Sequence, residues 1–100
     1  MAVTQKVFHR GAAATTSTTL YTVPAATSAI VTNVLVSNSA STAQSVTILL
    51  DGVAIISGGP VNANDAIVLD IRQVLETTKT ITGFGSSADI KIHISGVEIA

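Results

Sequence analysis

A chain of 100 residues with 5 Lys and Arg against 6 Asp and Glu, a net charge of −1 and no cysteine has room for one domain and little for charge-driven chemistry. Nucleic-acid binding needs clustered cations to displace counterions, and a disulfide framework or a thiolate site needs cysteine, so composition argues against all three. Only 11% of the residues are charged, against about 25% in ordinary domains.

The amino-terminal stretch "MAVTQKVFHR" lacks the apolar segment of a secretory signal, and no apolar run approaches the ~20 residues that span a bilayer. The expectation is a protein made and used in solution without export. Val3 to Arg10 reads as a first strand. "GAAATTSTT", residues 11–19, holds no aliphatic larger than Ala and reads as an exposed loop, so residues 1–17 form an arm and linker and residues 18–100 a sandwich body. Such an arm can pair with its own body or with a neighbour's.

Thr19 to Thr22 is a short strand ended by Pro24, which lacks an N–H and suits a strand end or turn. The next strand, Ser28 to Asn38, is apolar on both sides: simple alternation puts Ile30, Thr32, Val34 and Val36 on one face and Val31, Asn33 and Leu35 on the other. "LLDGVAII" carries the clearest local signal, because Asp51-Gly52 supplies the positive φ values of a type I′ turn and predicts a hairpin over Ser45 to Ser57. Val46, Ile48 and Leu50 share its inward face.

"DAIVLDI" predicts Ile67, Leu69 and Ile71 inward, with Ala66, Val68 and Asp70 outward. "IRQVLETTK" hints at one helical turn, and Lys79 to Phe84 is a further strand. In "ADIKIHISGVEIA", Ile90, Ile92 and Ile94 alternate with Lys91 and His93, but Val97 and Ile99 fall on the other parity, which predicts a β-bulge at Ser95-Gly96. "ATSAIV" at 26–31 and "ANDAIV" at 63–68 echo one another, either by chance in an Ala/Val/Ile-rich chain or as two similar turns leading into strands of opposite sheets. The sum is an all-β, antiparallel two-sheet β-sandwich of about eight strands, with jelly-roll and Ig-like topologies both open.

No chemical constellation emerges from the residues. His9 and His93 have no second ligand at a metal-like spacing, the aspartates do not form a calcium loop, and "GFGSS" at 83–87 lacks the Lys of a phosphate-binding loop. No hydroxyl sits in a nucleophile motif, so no catalytic residue, metal or cofactor is expected. Phe8, Tyr21 and Phe84 are too few for an aromatic platform.

The surface carries more information. A domain of this mass exposes roughly 5,300 Å², about one charge per 480 Å² here, so aliphatic and hydroxyl side chains must clothe much of the exterior. Shared surfaces would hide them. The expected contact residues are Val3, Lys6, Val7, Phe8 and Arg10 on the arm, Val31, Asn33 and Leu35 on the doubly apolar strand, and Lys91 and His93 on the last one. Charges there would set register more than affinity.

Leu20 to Ala25, Ala29 to Asn38, Val46 to Leu50, Pro60 to Leu69 and Ile92 to Ile99 together resemble small β-sandwich proteins of tailed-bacteriophage virions, over residues 18–100. The resemblance implies a non-enzymatic virion component, made in the host cytoplasm. Its brevity is most similar to capsid decoration (cement) proteins: a homo-oligomer, a trimer, on the capsid surface, with the major capsid protein as partner. Tail, collar or fibre components are the alternative within the particle, and a host-surface glycan-binding module using Tyr21 or Phe84 is the alternative outside that class.

Overall fold

Segments rich in β-branched residues, most of them alternating with period two and separated by turns at Pro24, Asp51-Gly52 and Asn64 among others, form eight strands: β1 (Val3–Ala12), β2 (Thr18–Thr22), β3 (Ser28–Asn38), β4 (Gln44–Leu50), β5 (Val53–Val61), β6 (Ala66–Leu75), β7 (Thr80–Gly85) and β8 (Ile90–Ile99). The computed structural model describes residues 2–100; Met1, the first residue of the expected arm, lies outside them. Sheet A has the order β1-β8-β3-β6 and sheet B the order β2-β7-β4-β5. All neighbours are antiparallel.

The pairs β1–β8, β2–β7, β3–β6 and β4–β5 are nested. The chain is therefore one long hairpin folded over into two sheets, which is the jelly-roll arrangement and resolves the alternative left open by the sequence. The expected Asp51-Gly52 hairpin is its apex, with φ of 53° and 76°.

Between the sheets, Val34 and Val36 of β3 and Ile90, Ile92 and Ile94 of β8 meet Val46 and Ile48 of β4 and Ile81 of β7, all buried. Ile67, Leu69 and Ile71 of β6 pack against this cluster as expected, while Val68 faces out. Asn38 is the buried polar residue at the rim. Its Nδ2 donates to the carbonyls of Thr42, Val61 and Asn62, and its Oδ1 accepts from Ala40 N at 2.9 Å, so its burial is compensated. The folded chain exposes 5288 Å², matching the size expected for an isolated domain of this mass.

Several expectations are corrected. The expected first strand pairs with its own body: β1 is the edge strand of sheet A, paired with β8 from Val3↔Ile99 to Ala12↔Lys91, and Phe8 and Ala13 enter the core. The small residues after Arg10 read as loop because they lack aliphatic bulk, yet Gly11 and Ala12 complete the ladder. "IRQVLETTK" is not helical: β6 continues to Leu75, and the chain turns through Thr78 at φ 68°. Nonlocal pairing with β3 overrides its local propensity.

The expected bulge at Ser95-Gly96 lies at the right height but on other strands. β8 runs on without a break, and the extra residues are Phe8 on β1 and Thr32 on β3, one on each flank of Ser95-Gly96. The echoed hexapeptides open β3 and β6, neighbours in one sheet rather than strands of opposite sheets. Their matching residues face oppositely, Ala29 being buried and Ala66 exposed.

Candidate functional site

With the inward residues assigned, cross-strand pairing fixes the outer face of sheet A row by row. Val3 of β1 pairs with Ile99 of β8, which pairs with Ser28 of β3. The next row is Gln5, Val97, Ile30 and Val74, and the next Val7, Ser95, Asn33 and Asp70. Arg10, His93, Leu35 and Val68 follow, and Ala12, Lys91, Ser37 and Ala66 complete the face. One end is an aliphatic band crossing all four strands, in which Val3 and Val74 are 65% and 66% exposed. The other end carries Arg10, His93 and Lys91, with Val68 beside them 58% exposed.

Val3, Val7, Arg10, Asn33, Leu35, Lys91 and His93 all lie on this one face, brought together from three strands. Phe8 and Val31 do not: both are core residues, Phe8 5% and Val31 0% exposed, so their assignment to a contact surface is wrong. The reason is the same in each case. A bulge inverts the inward and outward phase, at Phe8 itself on β1 and at Thr32 on β3, so that Ile30 rather than Val31 faces out. Lys6 is exposed but shares the parity of Gly96, and its ammonium lies 3.9 Å from the Glu98 carboxylate at the open end of the sandwich.

Ile30 and Val74 are band residues that the sequence does not place on a contact face, whereas Val97 and Ile99 lie on the last strand, Ile90 to Ile99, which is an expected contact surface. Val74 was hidden in the apparently helical segment. Val97 and Ile99 do carry a signal, their parity with Lys91 and His93, which a bulge placed on β8 itself explains away.

The two bulges also shape the surface. Between them lies a shallow cavity of about 380 Å³ lined by Gln5, Val7, Thr32, Ser95, Gly96 and Val97, with Lys6 at its edge. Its floor requires glycine, since a Cβ on Gly96 would collide with the Ile30 carbonyl oxygen and approach Phe8 Cε2 to 2.8 Å. Phe8 bends over Gly96 and stacks on Tyr21 with ring centroids 4.3 Å apart. The Tyr21 hydroxyl donates to Glu98 Oε2, tying β2 of sheet B to β8 of sheet A. Burial, the bond to Glu98 and the Glu98 charge, in that order, push the Tyr21 hydroxyl well above its ordinary pKa of 10.0.

His9 is half-buried beside this seam, and its Nε2 has no hydrogen-bond partner among the described residues. Burial first, and the nearby His93 second, hold its pKa below the ordinary 6.5. Among the described residues no group of three His, Cys, Asp or Glu side chains is placed to hold a metal ion. The arrangement offers contact chemistry: aliphatic area at one end and orienting charge at the other.

Charge placement separates the sheets. Lys6, Arg10, Asp70, Arg72, Lys91 and Glu98 lie on sheet A strands, and Asp51, Asp65, Glu76, Lys79 and Asp89 in connections. No residue of β2, β4, β5 or β7 is charged.

No protein-family model matches the chain, and no curated protein and no solved structure is significantly similar to it.

Proposed function

We propose that this protein is a structural component of a tailed-bacteriophage virion, a capsid decoration protein that binds the assembled shell as an oligomer through the outer face of sheet A. The observation that carries the reading is the aliphatic band of Val3, Ile99, Val97, Ile30 and Val74 running across every strand of that sheet. Val3 and Val74 at its edges are exposed and Ile30, Val97 and Ile99 between them half-buried, and a contiguous apolar patch that reaches solvent in this way marks a contact surface, whereas scattered aliphatics do not. The charged end beside it, Arg10, His93 and Lys91 opposite Asp70, supplies register.

Two further considerations support the reading. The residues that resemble virion β-sandwich proteins include β3 and β8, which carry most of the band. Jelly rolls also recur among viral capsid domains, an analogy at the level of fold only. A decoration protein acts by mass action: it binds the closed shell and not loose subunits, and so lowers the free energy of the assembled state. Four strands about 4.8 Å apart, with β1 and β8 running 10 residues at about 3.4 Å each, give roughly 650 Å² in projection, near the small end of specific interfaces.

The test is co-sedimentation of the purified protein with shells assembled from the major capsid protein of the same genome and stripped of decoration. Wild-type protein should pellet with shells and raise their melting temperature. Val74→Lys, which alters the band at an exposed position, should leave the fold intact and abolish pelleting. A protein that ignores shells and joins tails overturns the assignment.

A further inference from the structure

We propose that the partner of sheet A is an acidic protein surface, whose carboxylates meet Arg10, Arg72 and Lys91. This rests on the reading above for the choice of face, and names the chemistry of the partner rather than the particle.

Cross-strand pairing sets Arg10 of β1 opposite His93 of β8, with Lys91 at the next outward position of β8. Alternation along β6 turns Arg72 outward between Asp70 and Val74. The outer face thus carries three cations against one anion, Asp70, a charge of +2 on a chain whose net charge is −1. The other acids lie elsewhere: Asp51, Asp65, Glu76 and Asp89 in connections, and Glu98 turned toward Tyr21 and Lys6.

These three cations have no internal counterion. Lys6 lies 3.9 Å from Glu98 and Lys79 3.8 Å from Asp51, and among the described residues no other ion pair forms. Arg10 and Arg72 are exposed; Lys91, half-buried, donates to the Ala88 carbonyl at 2.7 Å and keeps its remaining N–H donors free. Arg10 and Lys91 are diagonal neighbours on paired strands, within reach of one another, and like charges so placed weaken a sheet. Folding gains nothing from setting them together, whereas an anion received between them does.

The class of anion follows from the surroundings. Nucleic acid is held by a run of cations along successive phosphates, and three cations interrupted by Asp70 beside an aliphatic band give it little to bind. A charged glycan would stack its rings on aromatic side chains, and this face has none: Phe8 and Tyr21 stack on each other where the sheets meet, and Phe84 is on sheet B. A protein surface supplies both halves, apolar area for the band and carboxylates for the cations. The planar fork of arginine matches a carboxylate with two parallel hydrogen bonds.

Retention of the purified protein at neutral pH on beads carrying poly-L-glutamate tests this. Despite its negative net charge, the wild-type protein should be held at ~0.05 M salt and released by ~0.5 M. Arg10→Glu should weaken retention at least about tenfold. Its melting temperature should hold or rise, since the new carboxylate faces Lys91, a result that a merely structural Arg10 would not give. Arg72→Glu, on the opposite edge strand, should act in the same direction on retention and serves if the first variant fails to fold by circular dichroism. Lys79→Glu changes the net charge by the same amount in a connection and should leave retention unchanged. Passage of the wild-type protein through the beads at low salt, an equal loss in Lys79→Glu, or tighter capture by duplex DNA than by poly-L-glutamate would overturn the proposal. Retention on beads with shells ignored removes the shell and keeps the acidic partner; shells bound equally by wild type and folded Arg10→Glu, at every salt concentration, remove the acidic partner and keep the shell.

Discussion

The outer faces of the two sheets rest on the same backbone alternation and diverge in what they present. Sheet A shows an aliphatic band that gives way to Arg10, His93 and Lys91; sheet B shows threonines around Phe84 and Leu49 and no charge. Their inner faces, by contrast, are interchangeable in kind, both built of fully buried Val and Ile. Burial dictates the inside of each sheet and leaves the outside free. The few charges are divided unevenly between the two outsides, all of those on strands being on sheet A.

The largest expected effects probe the equivalence of the inner faces. Ile92→Ala on sheet A and Ile48→Ala on sheet B, both 0% exposed, should each lower the free energy of unfolding by about 2–5 kcal/mol in urea titrations. A clear inequality would show that one sheet carries the core. Next comes Gly96→Ala, where a rigid backbone carbonyl blocks the new methyl, at about 2–3 kcal/mol. Gly52→Ala in the sheet B hairpin meets open space and bears only the positive φ of 76°, at about 1–2 kcal/mol.

The outer faces should then separate function from stability. Val74→Lys and Thr82→Arg, on the outer faces of the two sheets, should each shift unfolding by no more than about 0.5 kcal/mol. A large loss in either would show that its face is structural.

The smallest effects are those of pH, and both lie at the seam joining β1, β2 and β8. The folded state lowers the His9 pKa below 6.5, so the unfolded chain binds more protons near that value. Stability present above pH 6.5 should fall as pH drops through 6.5 to the folded value and then level, and His9→Gln should flatten this step in melting curves. The folded state raises the single tyrosine above 10.0, so stability should fall as pH rises past 10. Ultraviolet titration should show Tyr21 ionising later in the native protein than in urea. Normal ionisation in the native state would mean that the bond to Glu98 does not form.

Much of the fold was legible because it is local. Asp-Gly between apolar runs marks the β4–β5 apex, and unbroken alternation places Ile67, Leu69 and Ile71 of β6 and Ile90, Ile92 and Ile94 of β8 inward. The contact face was legible only in part. Leu35 and His93 lie where alternation puts them, but at Phe8 and Val31 the reading reversed core and surface, because one inserted residue, Phe8 itself on β1 and Thr32 just after Val31 on β3, reverses the phase from one side of it to the other. Nothing in "SAIVTNVLV" marks Thr32 as the inserted residue. The position is chosen by pairing with Ser95-Gly96, some sixty residues away in the chain.

The order of residues alone determines the eight extended segments, the central hairpin and the scarcity of charge, since these depend on neighbours within a few positions and on composition. The tertiary structure decides which strands become neighbours, where the bulges fall and hence which side chains face out, and that every charge is kept off sheet B strands. Those are properties of pairing between distant segments, and period-two alternation is blind to them because it reads the same in either phase.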